Sequence, residues 1–92
     1  MKVIVIGASW CRNCLVMRSR WLEAKLETQI SMEYYDFDQN PPIVNLYNLH
    51  ATNLPACIFL DDQGKERFRL NGIIDKQRII EIINHFKKLE TT

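Results

Sequence analysis

The sequence predicts an α/β fold with the element order β-α-β-α-β-β-α, on three observations. Lys2 to Ile6 is apolar and β-branched without alternation, the pattern of a central strand covered on both faces. From Cys11 to about Thr28 there is neither Gly nor Pro, and apolar residues recur at helical spacing. Near the end, Ile79, Ile82, Ile83 and Phe86 repeat the helical period. Short apolar runs lie between the helical patterns, so a four-stranded mixed sheet flanked by helices is expected.

Gly7-Ala8-Ser9 closes the first strand, with Ser9 a candidate N-cap for the helix that follows. In that helix Leu15, Leu22 and Leu26 lie close to one face, with Cys14, Met17 and Trp21 beside it. Met32 to Phe37 reads as the second strand, parallel to the first because a helix connects them by a right-handed crossover. Asp38 to Pro42 is a turn, since a residue before proline is pushed out of the helical region. Pro42 can then open a short helix through Val44, Leu46, Tyr47 and Leu49. Asn53-Leu54-Pro55 breaks the chain before a third strand, Ala56 to Leu60. Asp61-Asp62-Gln63-Gly64 is a hairpin turn, its acidic pair serving turn chemistry, and Glu66 to Leu70 returns antiparallel. After Asn71-Gly72, Asp75 caps the last helix, whose charges Glu81, Lys87, Lys88 and Glu90 form a solvated face.

Residues 1–92 are expected to form a single domain, large enough for its own core. Hydrophobic residues make up 47% and charged residues 25%, ordinary values for a globular chain. A net charge of +1 offers no polyanion-binding signal, so neither nucleic acid nor an anionic membrane is expected as a partner. No basic segment precedes a long apolar run, so neither a signal peptide nor a membrane span is expected. Three cysteines are too few for a disulfide scaffold and suit cytoplasmic redox chemistry better.

Two of those cysteines stand in Cys11-Arg12-Asn13-Cys14, where the first strand turns into the first helix. The first helical turn has unpaired N–H groups, and the positive end of the helix dipole favours a thiolate on the first cysteine. A free thiol has a pKa of about 8.5, and in such settings it falls to roughly 3.5–7.5. Arg12 adds a fixed positive charge in the same sense. Cys14 lies on nearly the same helix face and can attack a mixed disulfide made by Cys11. Two other uses of the motif are half of a metal site shared across a dimer and a structural disulfide. Zinc usually takes four ligands, and beyond the motif only Cys57, His50 and His85 are left, with no second Cys-x-x-Cys. Both histidines read as solvated or structural. Cys57, in an apolar strand, reads as an inert buried side chain, with a regulatory thiol as the alternative.

With these motifs in place the chain resembles the thioredoxin superfamily over nearly its whole length. Trp10-Cys11-x-x-Cys14 matches the family's active site in position. Asp38-Gln39-Asn40-Pro41 resembles the turn after the next strand, Leu54-Pro55 falls where the family carries a cis-proline facing the site, and Gly72 matches a glycine near its substrate groove. The chain lacks the N-terminal strand and helix of thioredoxins proper, which makes it a minimal form closer in size to glutaredoxins. Val5 stands where thioredoxins carry a buried Asp, and Tyr34 where they carry the Lys that pairs with it. Loss of both together is self-consistent, because a buried charge without its partner would be costly. It leaves no obvious internal base for Cys14. Arg-Asn separates the cysteines in place of the Gly-Pro of thioredoxins or the Pro-Tyr of glutaredoxins.

The resemblance implies a small thiol–disulfide oxidoreductase that reduces or exchanges protein disulfides, with Cys11 as nucleophile and Cys14 as resolving thiol. Trp10, Arg12, Leu54, Pro55, Gly72 and Ile73 would border the substrate groove, with the backbone at Leu54 offered for strand pairing. No metal is expected, and no cofactor besides the redox-active Cys11–Cys14 disulfide. The oxidised pair would be reset by a thiol reductase or by glutathione. In the family's strand order Met32 to Phe37 is a sheet edge, where Tyr34, Tyr35 and Phe37 could pair with a second copy. Glutaredoxin-like proteins carry the same edge as monomers, so a monomer is expected. Two alternatives remain: a non-catalytic binding module of the same fold, and a glutathione-coupled glutaredoxin-like enzyme, for which Arg12 is the only obvious cation near the motif.

Overall fold

The structure is a computed structural model that describes residues 1–91, and for Glu90 and Thr91 the backbone alone. The reading of Glu90 as a solvated charge therefore falls outside the described side chains. β1 (Lys2–Gly7) lies inside a four-stranded sheet, between β2 (Ser31–Asp36) and β3 (Ala56–Leu60), and β4 (Glu66–Asn71) forms the far edge. β1 runs parallel to β2 and antiparallel to β3, and β3 is antiparallel to β4, so the sheet is mixed as the sequence predicts. The unbroken apolar run of β1 has its cause in the layers. Val3 and Val5 face one core with Phe59 and Cys57 of β3, while Ile4 and Ile6 face a second with Ile58 and Ala56.

Two helices cover the first core: α1 (Arg12–Thr28) and, after the hairpin, α3 (Lys76–Thr91). α3 buries Ile79, Ile83 and Phe86 there, and Phe86 meets Phe59 edge-on at 5.4 Å. α1 buries Cys14, Met17, Trp21, Ala24 and Thr28, an alternating three- and four-residue repeat. This corrects the leucine face expected of α1, since Leu15 and Leu22 are about half exposed and Leu26 is 81% exposed. The helix carries two apolar stripes at helical spacing. The one with a large indole, a flexible thioether and a small Ala24 fits against the sheet. Lys76 of α3 bridges to Glu27 of α1 at 2.9 Å, and Lys87 donates to the Thr28 carbonyl at the end of α1.

The second core lies under the short helix α2 (Pro41–Leu46), which opens with Pro41 rather than Pro42 at its first position. It also ends earlier than expected. Asn48 takes a left-handed backbone (φ 54°), and Leu49 leaves the helical path to bury itself beside Ile4, Ile6 and Ile58. A single 3-10 turn at Ala51–Asn53 leads to the Leu54–Pro55 peptide. The β3–β4 hairpin turns at Gly64 (φ 80°), where a side chain would be strained. Asp75 stands just before α3, its carbonyl accepting from the Ile79 N–H. No helix is long and apolar enough to cross a membrane among the described residues.

Candidate active site

The C-terminal end of β1 delivers the chain through Ala8, Ser9 and Trp10 to Cys11, whose N–H donates to the Ala8 carbonyl at 3.1 Å. Cys11, not Ser9, is the N-cap of α1. Its backbone is extended (φ −100°, ψ 108°), and its Sγ accepts from the Cys14 N–H at 3.2 Å. The nucleophile expected from the sequence is thus itself the capping group, held against an amide of the first helical turn. Cys11 is half-buried rather than fully exposed, and Cys14 behind it is only 1% exposed. Their α-carbons are 5.2 Å apart and the two sulfurs form a disulfide, so this is the oxidised arrangement. Arg12 and Asn13, between them, point into solvent, where screening weakens the help Arg12 gives to a thiolate.

Trp10 is 56% exposed beside the disulfide, yet it is anchored. Its indole Nε1–H donates to Asp38 Oδ2 at 2.7 Å, and its ring meets Phe37 edge-on at 6.4 Å. Asp36 holds that turn in shape by accepting from the Asp38 and Gln39 N–H groups at 3.0 and 3.1 Å. The sequence marks Asp38 to Pro41 as a turn, and the structure adds that Asp38 orients the tryptophan.

Strand register brings the other predicted residues to the same end of the sheet. Ile6 of β1 pairs with Ala56 of β3, and Ala56 pairs with Asn71 of β4. Gly7, Pro55 and Gly72 are therefore the next residues at the ends of three adjacent strands. The Leu54–Pro55 peptide is cis, as the resemblance implies. The Gly72 N–H donates to the Pro55 carbonyl at 2.9 Å, and Gly72 has φ +86°, which favours glycine. Ile73 is about half exposed at the rim, and the Ile74 N–H donates to Met17 Sδ at 3.2 Å, tying this loop to α1. Leu54, Pro55, Gly72 and Ile73 thus lie at the end of the sheet from which β1 delivers Trp10 and Cys11 to the start of α1.

Cys57 lies elsewhere, in the middle of β3 between Val5 and Leu70, fully buried. Burial pushes its thiol up to about 12. The Trp21 indole N–H is buried with no full hydrogen-bond partner, and its weak interaction with the Cys57 thiol offsets the burial only in part. Among the described residues no three His, Cys, Asp or Glu side chains are grouped to hold a metal ion. A cleft of about 610 Å³ lies at the Asp61–Lys65 hairpin and contains no cysteine.

Two features of the site escaped the sequence reading. Arg18 is a second cation next to the motif, lining a cleft with Ala8 and Ser9. Tyr34 pairs in register with Val5, and its hydroxyl reaches the space over Gly7 next to Cys14. No sequence pattern signals either, because both depend on how α1 packs across β2.

No family model matches this sequence, and no curated protein matches it. Solved structures do. Thioredoxin 1 of Thermosipho africanus matches over 100% of both chains with a TM-score of 0.82 at 20% identity. The thioredoxin of Fasciola hepatica matches 91% of this chain and 78% of its own, with a TM-score of 0.78 at 26% identity. A thioredoxin-2 of the malaria parasite matches 91% of this chain and 81% of its own, with a TM-score of 0.82 at 19% identity.

Proposed function

We propose that this chain, which has the fold of thioredoxins, is a member of that superfamily and a small thiol–disulfide oxidoreductase working through Cys11 and Cys14. The observation that supports this best is the asymmetry of the pair. One sulfur sits at the helix N-terminus and reaches the surface, while the other is buried behind it within bonding distance. In the reduced protein the Cys11 thiolate, stabilised by the Cys14 amide and the helix dipole, attacks a substrate disulfide. A mixed disulfide forms and one substrate thiolate leaves. Cys14 then attacks Cys11 Sγ, the second substrate thiol departs, and the Cys11–Cys14 disulfide of the structure remains.

Substrates are disulfide-containing proteins, received along the groove of Trp10, Leu54, Pro55, Gly72 and Ile73, with Arg12 at its solvent side. The extended backbone at Leu54 (φ −83°, ψ 147°) has the geometry to pair with a substrate strand. A thiol reductase or glutathione returns the electrons in the cytoplasm, and no metal or further cofactor takes part. The test is reduction of insulin disulfides by wild type and by Cys11→Ser. Turnover by wild type alone is the expected result. Equal rates for the two proteins, or no turnover by either, would leave the non-catalytic binding module as the better reading.

A further inference from the structure

Cys14 must give up a proton to resolve a mixed disulfide, yet it is 1% exposed and its side chain faces the interior. The structure places one hydroxyl beside it. Tyr34 shares its sheet face with its register partner Val5 and packs partly against the core under α1. A methyl group built on Gly7 would overlap Tyr34 Oη and come within 3.0 Å of Cys14 Cβ. The phenol and the first carbon of the Cys14 side chain therefore approach each other over the bare α-carbon of Gly7. On its outer side Tyr34 lines a cleft of about 370 Å³ open to solvent, together with Ser9, Arg18, Asp36 and Gln39. The Arg18 guanidinium stands 4.9 Å from the centre of the Tyr34 ring.

We propose that Tyr34 is the positioning residue of the resolving step, its O–H donating to the Cys14 sulfur as that thiol becomes a thiolate. This rests on the redox reading above. The charged groups facing the phenol are Arg18 from α1 and Asp36 from its own strand, while β1 presents Val5 and Gly7. Burial is the main effect on the phenol and raises its pKa, Arg18 opposes this, and Asp36 adds to it. The hydroxyl thus stays protonated near neutral pH and acts as a donor, not a base. In the step itself Cys14 Sγ forms a bond to Cys11 Sγ and the Cys11–substrate S–S bond breaks. The proton released by Cys14 ends on the departing substrate thiolate, so the substrate disulfide gains two electrons and the dithiol loses two. Tyr34 gains and loses nothing. It steadies the charge on Cys14 while that charge exists.

The test compares wild type with Tyr34→Phe in single-turnover reduction of a protein disulfide, quenched with acid and followed by mass. One hydrogen bond to a thiolate shifts its pKa by about one unit, and the variant loses that shift. Below the Cys14 pKa the thiolate fraction then falls about ten-fold, and higher nucleophilicity recovers about three-fold. The mixed disulfide of Tyr34→Phe is expected to last about three-fold longer at neutral pH. The difference shrinks and reverses above the Cys14 pKa, while Cys11 alkylation is unchanged. In a Cys11→Ser background Cys14 is expected to titrate about one unit higher once Tyr34 is Phe. If Tyr34→Phe folds poorly, proteins that retain Tyr34 answer the same question. The phenol should titrate higher in Cys11→Ser than in Cys11→Ser/Cys14→Ser, because the thiolate holds its proton. Equal lifetimes and equal titrations would overturn the role of Tyr34 with the redox reading intact, whereas a wild type that forms no mixed disulfide would overturn both.

Discussion

Two buried cysteines, Cys14 in α1 and Cys57 in the sheet beneath that helix, lie at 1% and 0% exposure in opposite chemical settings. Cys14 sits in the first turn of α1, bonded to a cysteine whose sulfur caps that helix. Its surroundings supply a nearby hydroxyl and a cleft to water. Cys57 sits mid-strand, with Val5 and Leu70 as register partners and an indole N–H as a weak donor. Burial alone therefore says nothing about reactivity. On the proposed reading, what separates the two is position: Cys14 is paired with a cysteine at a helix N-terminus, which favours a thiolate, whereas Cys57 lies in a sheet interior, which does not.

The sharpest way to break the contrast is to fill the space that the Cys14 region depends on. Gly7→Ala puts a methyl group into Tyr34 Oη and 3.0 Å from Cys14 Cβ, so the Tyr34 ring must shift from its place beside Cys14. Such overpacking costs about 1–3 kcal/mol. Thermal unfolding should show that loss, together with slower disulfide reduction, and an unchanged melting temperature would contradict the close approach. A smaller effect is expected on the other side. Cys57→Ala removes a buried sulfur outside the Cys11–Cys14 disulfide, so on the proposed reading it should cost about 1 kcal/mol of stability and leave disulfide reduction at the wild-type rate. With the thiol pushed up to about 12, Cys57 stays protonated as the pH rises through neutrality. Alkylation of the reduced native protein at about pH 8 should leave it unmodified until the chain is unfolded, which mass analysis of the labelled peptide checks.

How much of this was legible in the sequence follows from the range of the interactions. The strands and the Cys-x-x-Cys at the start of α1 are local, and they read correctly. So do the hairpin at Gly64 and the turn after Phe37. The buried stripe of α1 did not, because two apolar stripes share that helix and only the sheet chooses between them. Trp21 and Ala24 went inside, and Leu15, Leu22 and Leu26 stayed out. Ser9 looked like the cap by residue type, but the backbone turns two residues later and Cys11 Sγ takes the amide. The cis peptide before Pro55 was legible only through resemblance, since no residue near it demands that isomer. Tyr34 was visible as a departure from the family pattern, while its place beside Cys14 comes from the parallel register of β1 and β2.

The measurement that would decide the redox reading is an equilibrium titration of the Cys11–Cys14 pair in glutathione buffers, read by mass after thiol alkylation. A single reversible two-electron couple is expected, with Cys57 reduced throughout. A potential well below the glutathione pool would mark a reductase fed by a dedicated enzyme, and one near or above it a glutathione-coupled role. If Cys11 and Cys14 never exchange reversibly between dithiol and disulfide, the proposed oxidoreductase is wrong and the cysteines are structural.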